Sequence, residues 1–89
     1  MDELIHQRTR LVIMTQLYSV EEADMHFIKR KTGLTWGNLS GHSSKLEEEG
    51  YVEIVKSIEH KRTKTILKLT PEGRKAFERY RATILKLLS

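Results

Sequence analysis

Eighty-nine residues make one small domain with a thin core, because a chain of this size buries only about 60% of the surface its unfolded form exposes. Hydrophobic residues are 38% and charged residues 31%, and 16 Lys and Arg against 12 Asp and Glu leave a formal charge of +4, a surplus that permits a polyanionic partner without requiring one. With no cysteine, disulfides, thiolate zinc sites and a cysteine nucleophile are excluded. No apolar run approaches the roughly 18 residues of a membrane span, and the acidic start MDELIHQRTR lacks the order of a signal peptide, so a soluble cytoplasmic protein without a membrane partner is expected.

In chain order, residues 2–18 read as a first helix. Leu4, Leu11, Met14 and Tyr18 form one stripe, which Ile5, Val12, Ile13 and Leu17 widen beyond what one contact needs. A loop, VEEA, follows. DMHFIKRKT reads as a short second helix with Asp24 as its N-cap and Lys29, Arg30 and Lys31 at its C-terminal end. Cations there suit the helix dipole and equally make a basic patch. Gly33 is the expected left-handed stop, and Thr35 the cap of a third helix that runs to about Glu49 and stops at Gly50. YVEIVKS and TILKL then read as paired strands, joined by IEHKRTK as a loop too charged for a tight turn. Thr70 and Pro71 open a last helix, on which Phe77, Tyr80, Ile84 and Leu87 follow a 3-4-3 seam.

The third helix carries Gly37, Asn38, Ser40, Gly41, Ser43 and Ser44, all poor or indifferent helix formers. Leu39 and Leu46 mark its inner side, so positions 36, 37, 40, 41 and 44 face outward, with Asn38, His42 and Lys45 along one flank. Such a thin polar face suits close approach to a flat polar surface. From Lys56 to Lys68 the basic residues are Lys56, Lys61, Arg62, Lys64 and Lys68 against one acid, Glu59. The basic surplus of the whole chain is therefore concentrated there.

The pieces Gly33-Leu34-Thr35, Gly37-Asn38-Leu39-Ser40, His42, Lys45-Leu46-Glu47, Gly50-Tyr51-Val52 and Leu69-Thr70-Pro71-Glu72-Gly73 resemble, in that order and spacing, the small winged helix-turn-helix transcriptional regulators of the MarR and ArsR groups, of archaeal and bacterial type. The resemblance covers nearly the whole chain. It implies an α+β, mainly α fold, with three helices, a two-stranded wing hairpin and a C-terminal helix, in a single domain over residues 1–89. It also implies transcription regulation through double-stranded DNA, with the third helix in the major groove and the wing on phosphates or in the minor groove. The cysteine-based metal sensors of the ArsR type are not matched. Ser43 stands where the pattern has a core leucine, Ser44 where it often has a basic residue, and His60 and Thr63 where glycine and proline are often seen at the wing tip.

On that reading Trp36, Asn38, Ser40, Gly41, His42, Ser44 and Lys45 of the third helix, and Lys61, Arg62 and Lys64 of the wing, are the DNA-contacting candidates. Asn38 has the amide to pair with adenine or to bond locally near the helix start. His42 reaches the duplex or packs between Leu39 and Leu46, and Trp36 is either a DNA-side anchor or a cover for the first turn. Glu47, Glu48 and Glu49 read as a solvated face. The Ser43 hydroxyl is expected to bond back to the Leu39 carbonyl. A homodimer is expected through Leu4 and Leu11 of the first helix and Phe77, Tyr80, Ile84, Leu87 and Leu88 of the last. His6, His26, His42 and His60 have no metal spacing. No catalytic arrangement, cofactor or metal site is read, so no enzyme is expected, and no small-molecule effector is identified. The alternative is a winged-helix protein-interaction module that binds no DNA, since fold alone does not decide between the two.

Overall fold

The computed structural model describes residues 1–89 and has the element order α1 (Glu3–His6), α2 (Arg8–Val20), β1 (Glu22–Asp24), α3 (Met25–Thr32), α4 (Trp36–Glu48), β2 (Val52–Glu59), β3 (Arg62–Leu69) and α5 (Pro71–Leu88). It is an α+β winged helix-turn-helix. The single first helix expected over 2–18 is two helices. Gln7 between them is extended (φ −71°, ψ 131°), and its side chain caps α2 by accepting from the Arg10 N–H. Asp2 caps α1 in the same way, accepting from Leu4 and Ile5. The Gln7 side chain thereby satisfies a first-turn N–H that a second helix start would leave orphaned.

The caps of the other helices lie where expected. Asp24 accepts from His26, Thr35 from Asn38 and Thr70 from Gly73. Gly33 (φ 72°) and Gly50 (φ 84°) take the left-handed conformation that a side chain disfavours. Gly73, at the place of a capping-box glutamate, has a different reason to be glycine. A Cβ there would run into the Tyr51 carbonyl, which accepts from the Thr70 N–H at 3.1 Å.

Two expectations about the strands are corrected. The segment VEEA is not simply a loop, because Glu22–Asp24 pairs antiparallel with Ile66–Lys68 of β3 and the sheet has the order β1-β3-β2. The wing is also not a long loop. Pairing continues to Glu59↔Arg62, leaving a two-residue turn, His60–Lys61, with both residues at positive φ (51° and 65°). Both signs fit a type I′ hairpin turn, whose twist matches that of the strands it joins. The charged character of IEHKRTK does not prevent a tight turn because its side chains all reach solvent.

The core gathers Ile5, Ile13, Met14, Leu17, Ile28, Leu39, Leu46, Val52, Leu67, Ala76, Phe77 and Tyr80. Phe77 and Tyr80 are thus inside the protomer, at 7% and 6% exposure, and Leu4, Leu11 and Ile84 pack against the same core. Polar contacts tie the N-terminal segment down. The Tyr51 hydroxyl donates to Asp2 at 2.6 Å, and the His6 Nδ1 and Tyr80 hydroxyl are 2.8 Å apart. Burial and the Asp2 carboxylate push the Tyr51 phenol up to about 12. No helix is long and apolar enough to cross a membrane.

Candidate nucleic-acid interface

The outer face of α4 is small and open. Leu39, Ser43 and Leu46 are buried, whereas Gly37, Asn38, Ser40, Gly41, Ser44 and Lys45 are exposed. A Cβ built at Gly37 or Gly41 meets no atom within 4 Å. Nothing inside the protein therefore requires glycine at either position.

Trp36 is held from one side and open on the other. Its ring makes an edge contact with His26 (centroids 4.8 Å, 81°) and carries the Lys29 ammonium 5.4 Å from its centroid. It covers the junction of α3 and α4 while keeping 46% of its surface exposed. One of the three cations at the end of α3 is thus engaged with this ring, a link that spacing along the sequence does not reveal.

His42 is half-buried rather than free. Its Nδ1 lies 3.0 Å from Nη1 of Arg10 on α2. Burial, and then the neighbouring Arg10 and Lys45 cations, hold its pKa below the ordinary value of 6.5. Arg10 is not among the residues the sequence singles out, since a contact spanning 32 positions leaves no local signature. Glu47 is likewise more than a solvated face. Its carboxylate accepts from the Ile54 N–H on edge strand β2 at 3.1 Å.

Ser43 is fully buried, and its hydroxyl has no hydrogen-bond partner, so the expected bond to the Leu39 carbonyl is not made. It lies at the base of a cleft of about 280 Å³ between α4, the first turn of α3 and the hairpin, which Trp36, Ser40, Ile54, Lys56 and Thr65 also line.

The wing stands beside this cleft. Lys61 and Arg62 are exposed at its tip and make no ion pair, whereas Lys64 is 3.6 Å from Glu59 and Lys68 is 3.8 Å from Glu22. The tip thus presents two uncommitted cations. No group of three or more His, Asp or Glu side chains is placed to hold a metal ion.

The chain is similar to known proteins in sequence and in fold. Residues 9–88 match the family model described as winged helix DNA-binding domain. An uncharacterized protein of Methanocaldococcus jannaschii, MJ0432, is 42% identical over 85 residues, which are 96% of this chain and 92% of that protein. Among solved structures, a transcriptional regulator homologue protein from Pyrococcus horikoshii superposes with a TM-score of 0.91 at 28% identity, covering 98% of this chain and 86% of that one. The disulfide-formed AbfR superposes with a TM-score of 0.70 at 19% identity, covering 99% of this chain and 78% of that one, a likeness of fold alone.

Proposed function

The chain belongs to the family of winged helix DNA-binding domains, and from that premise we propose that it is a sequence-specific, cytoplasmic regulator of transcription that binds double-stranded DNA as a homodimer. It is a binding protein rather than an enzyme, with a kinship to the MarR and ArsR groups. The observation that carries the reading is the face of α4. Two helical glycines open onto empty space between exposed serines, a costly choice unless an outside surface comes close. A major groove about 12 Å wide admits a helix with so thin a face. The regulatory part follows the Pyrococcus protein, which is described as a transcriptional regulator homologue.

Within this reading Asn38, Ser40, Gly41 and Ser44 lie against base edges, Trp36 flanks them, and Lys45 holds a phosphate. Lys61 and Arg62 meet phosphates or enter the minor groove, and Lys64 supports them from its pairing with Glu59. A two-fold axis through the first and last helices sets the two α4 helices about 34 Å apart, one turn of DNA.

Salt titrations on a selected duplex and on random DNA test the division of roles. Asn38→Ala should cost about 1–3 kcal/mol on the selected duplex and little on random DNA. Lys61→Ala with Arg62→Ala should weaken binding to both. The double change should also flatten the plot of log affinity against log salt by roughly 0.9 for every phosphate that each bound wing ceases to neutralise. An unchanged salt slope in the wing variant, or equal losses on both duplexes for Asn38→Ala, defeats the assignment. A protein that binds no duplex at low salt is instead an interaction module.

A further inference from the structure

Arg10 lies on α2, outside the surface assigned to DNA, and is half-buried. Its Nε donates to the Leu4 carbonyl at 2.6 Å, and its Nη1 points to His42 Nδ1 at 3.0 Å. A guanidinium has N–H donors only and stays charged at any pH the protein meets. The contact with His42 therefore has one direction: Arg10 donates and Nδ1 accepts. An imidazole nitrogen that accepts carries no proton, so the ring is neutral and its proton sits on Nε2. That nitrogen has no partner within the chain and is not among the buried unpaired atoms. It is thus a free N–H on the flank of α4 shared by Asn38 and Lys45.

We propose that Arg10 is a positioning residue that fixes the tautomer of His42, so that α4 offers a neutral Nε2–H donor to an acceptor on a base edge, guanine N7 or O6 being the best fit. The inference rests on the DNA-binding reading above. Guanine presents two acceptors side by side in the major groove, whereas adenine places a donor next to its N7, thymine sets a methyl group near its single O4 acceptor, and cytosine presents a donor. A neutral ring gains less at a phosphate than the Lys45 ammonium beside it, so the ring is suited to reading rather than clamping. The lowered His42 pKa, caused by burial, Arg10 and Lys45, works in the same direction by keeping the ring neutral near pH 7. Without Arg10 the ring is free to turn or to move its proton to Nδ1, and the same position would then present an acceptor.

Two measurements test this. The first is the long-range ¹H–¹⁵N spectrum of His42 in the free, full-length protein. It should show a neutral ring protonated on Nε2, and Arg10→Met should bring in the other tautomer. A ring that is charged at pH 7 or protonated on Nδ1 in the unaltered protein overturns the proposal whatever the DNA result. The second is selection from a randomised duplex pool with the unaltered protein, His42→Ala and Arg10→Met, each checked by its melting curve. Both variants should lose preference at the same base pair by about twofold to tenfold, the range of one hydrogen bond. At that pair 7-deazaguanine, which lacks N7, or 2-aminopurine, which lacks O6, should reduce binding of the unaltered protein, and the substitution that does so should leave His42→Ala unaffected. Arg10→Met should keep the parent's salt slope, because removing a phosphate ligand would flatten it. Loss of preference at different base pairs, or a flattened slope, overturns the positioning role. If the unaltered protein selects no sequence at all, the regulator reading fails and base reading fails with it, while the spectrum still decides whether Arg10 sets the tautomer. Should Arg10→Met not fold, Arg10→Lys keeps a donor-only cation one bond short of the Nη1 position and should keep the tautomer; its loss there overturns the positioning role.

Discussion

A glycine inside a helix costs about 1 kcal/mol relative to alanine, and in Gly73 the reason is internal, since the Tyr51 carbonyl occupies the space a Cβ would need. Gly37 and Gly41 have no such reason, and the two demands of folding and binding separate there. Gly37→Ala combined with Gly41→Ala should raise stability by about 1–2 kcal/mol, read as a higher Tm in calorimetry, and should weaken binding to a selected duplex. A variant that is more stable and binds as before would show that this face is not pressed into a groove. Ser43 gives a second test. Its buried hydroxyl is unpaired, so Ser43→Ala should stabilise the fold by about 1 kcal/mol, since removing an unmet polar group relieves its desolvation cost. Ser43→Leu should gain a similar amount through apolar burial if the adjoining cleft of about 280 Å³ takes the larger side chain, and a lower denaturant midpoint would mean that it does not. That Ser43 is out of place among core residues is readable from the spacing of Leu39 and Leu46. Its missing partner is not, because a rotamer is settled by the packing around it rather than by position along a helix.

At the scale of elements, the residues that announce themselves locally are readable. Asp24, Thr35 and Thr70 cap helices and Gly33 and Gly50 end them, because each acts on backbone groups a few positions away. Features decided by distant partners are not. The strand Glu22–Asp24 is three residues long, too short for alternation, and exists because β3 lies beside it. The break at Gln7 is hidden because the apolar stripe runs on through both helices. The His60–Lys61 turn is hidden because neither residue is the glycine or asparagine that marks a type I′ turn in a sequence. His60→Asn with Lys61→Gly supplies residues suited to a type I′ turn. It should stabilise the hairpin by about 1 kcal/mol, seen as slower amide exchange at Ser57, Glu59 and Lys64, whose N–H groups face the partner strand. Unchanged exchange would mean that the turn does not limit opening of the wing.

The whole molecule measures 50 × 25 × 20 Å, and its apolar side chains do not all find a place inside. Leu85, Leu87 and Leu88, near the end of α5, are 60%, 67% and 78% exposed. The seam read along that helix therefore divides: Phe77 and Tyr80 serve the protomer's own core, Ile84 lies at its border, and Leu87 and Leu88 stand outside. Periodicity reports that a face is apolar and not whose surface covers it. A homodimer closing over the end of α5 and the outer side of the N-terminal helices would cover these leucines. Light scattering at micromolar concentration should give twice the chain mass, and Leu87→Ser with Leu88→Ser should shift it toward the monomer. A monomeric unaltered protein would end the expectation. The sheet adds a mechanical consequence. Ile66–Lys68 of β3 is bonded to strands on both sides, whereas Arg62–Thr65 has β2 alone. The hairpin is therefore a cantilever, clamped at the root to the same segment that leads into α3 and compliant over its last ~13 Å, four residues at strand spacing. A load applied at Lys61 and Arg62 bends the free ribbon before it tilts α4, so in the proposed complex the tip would follow a groove of varying width while the helix stays in register.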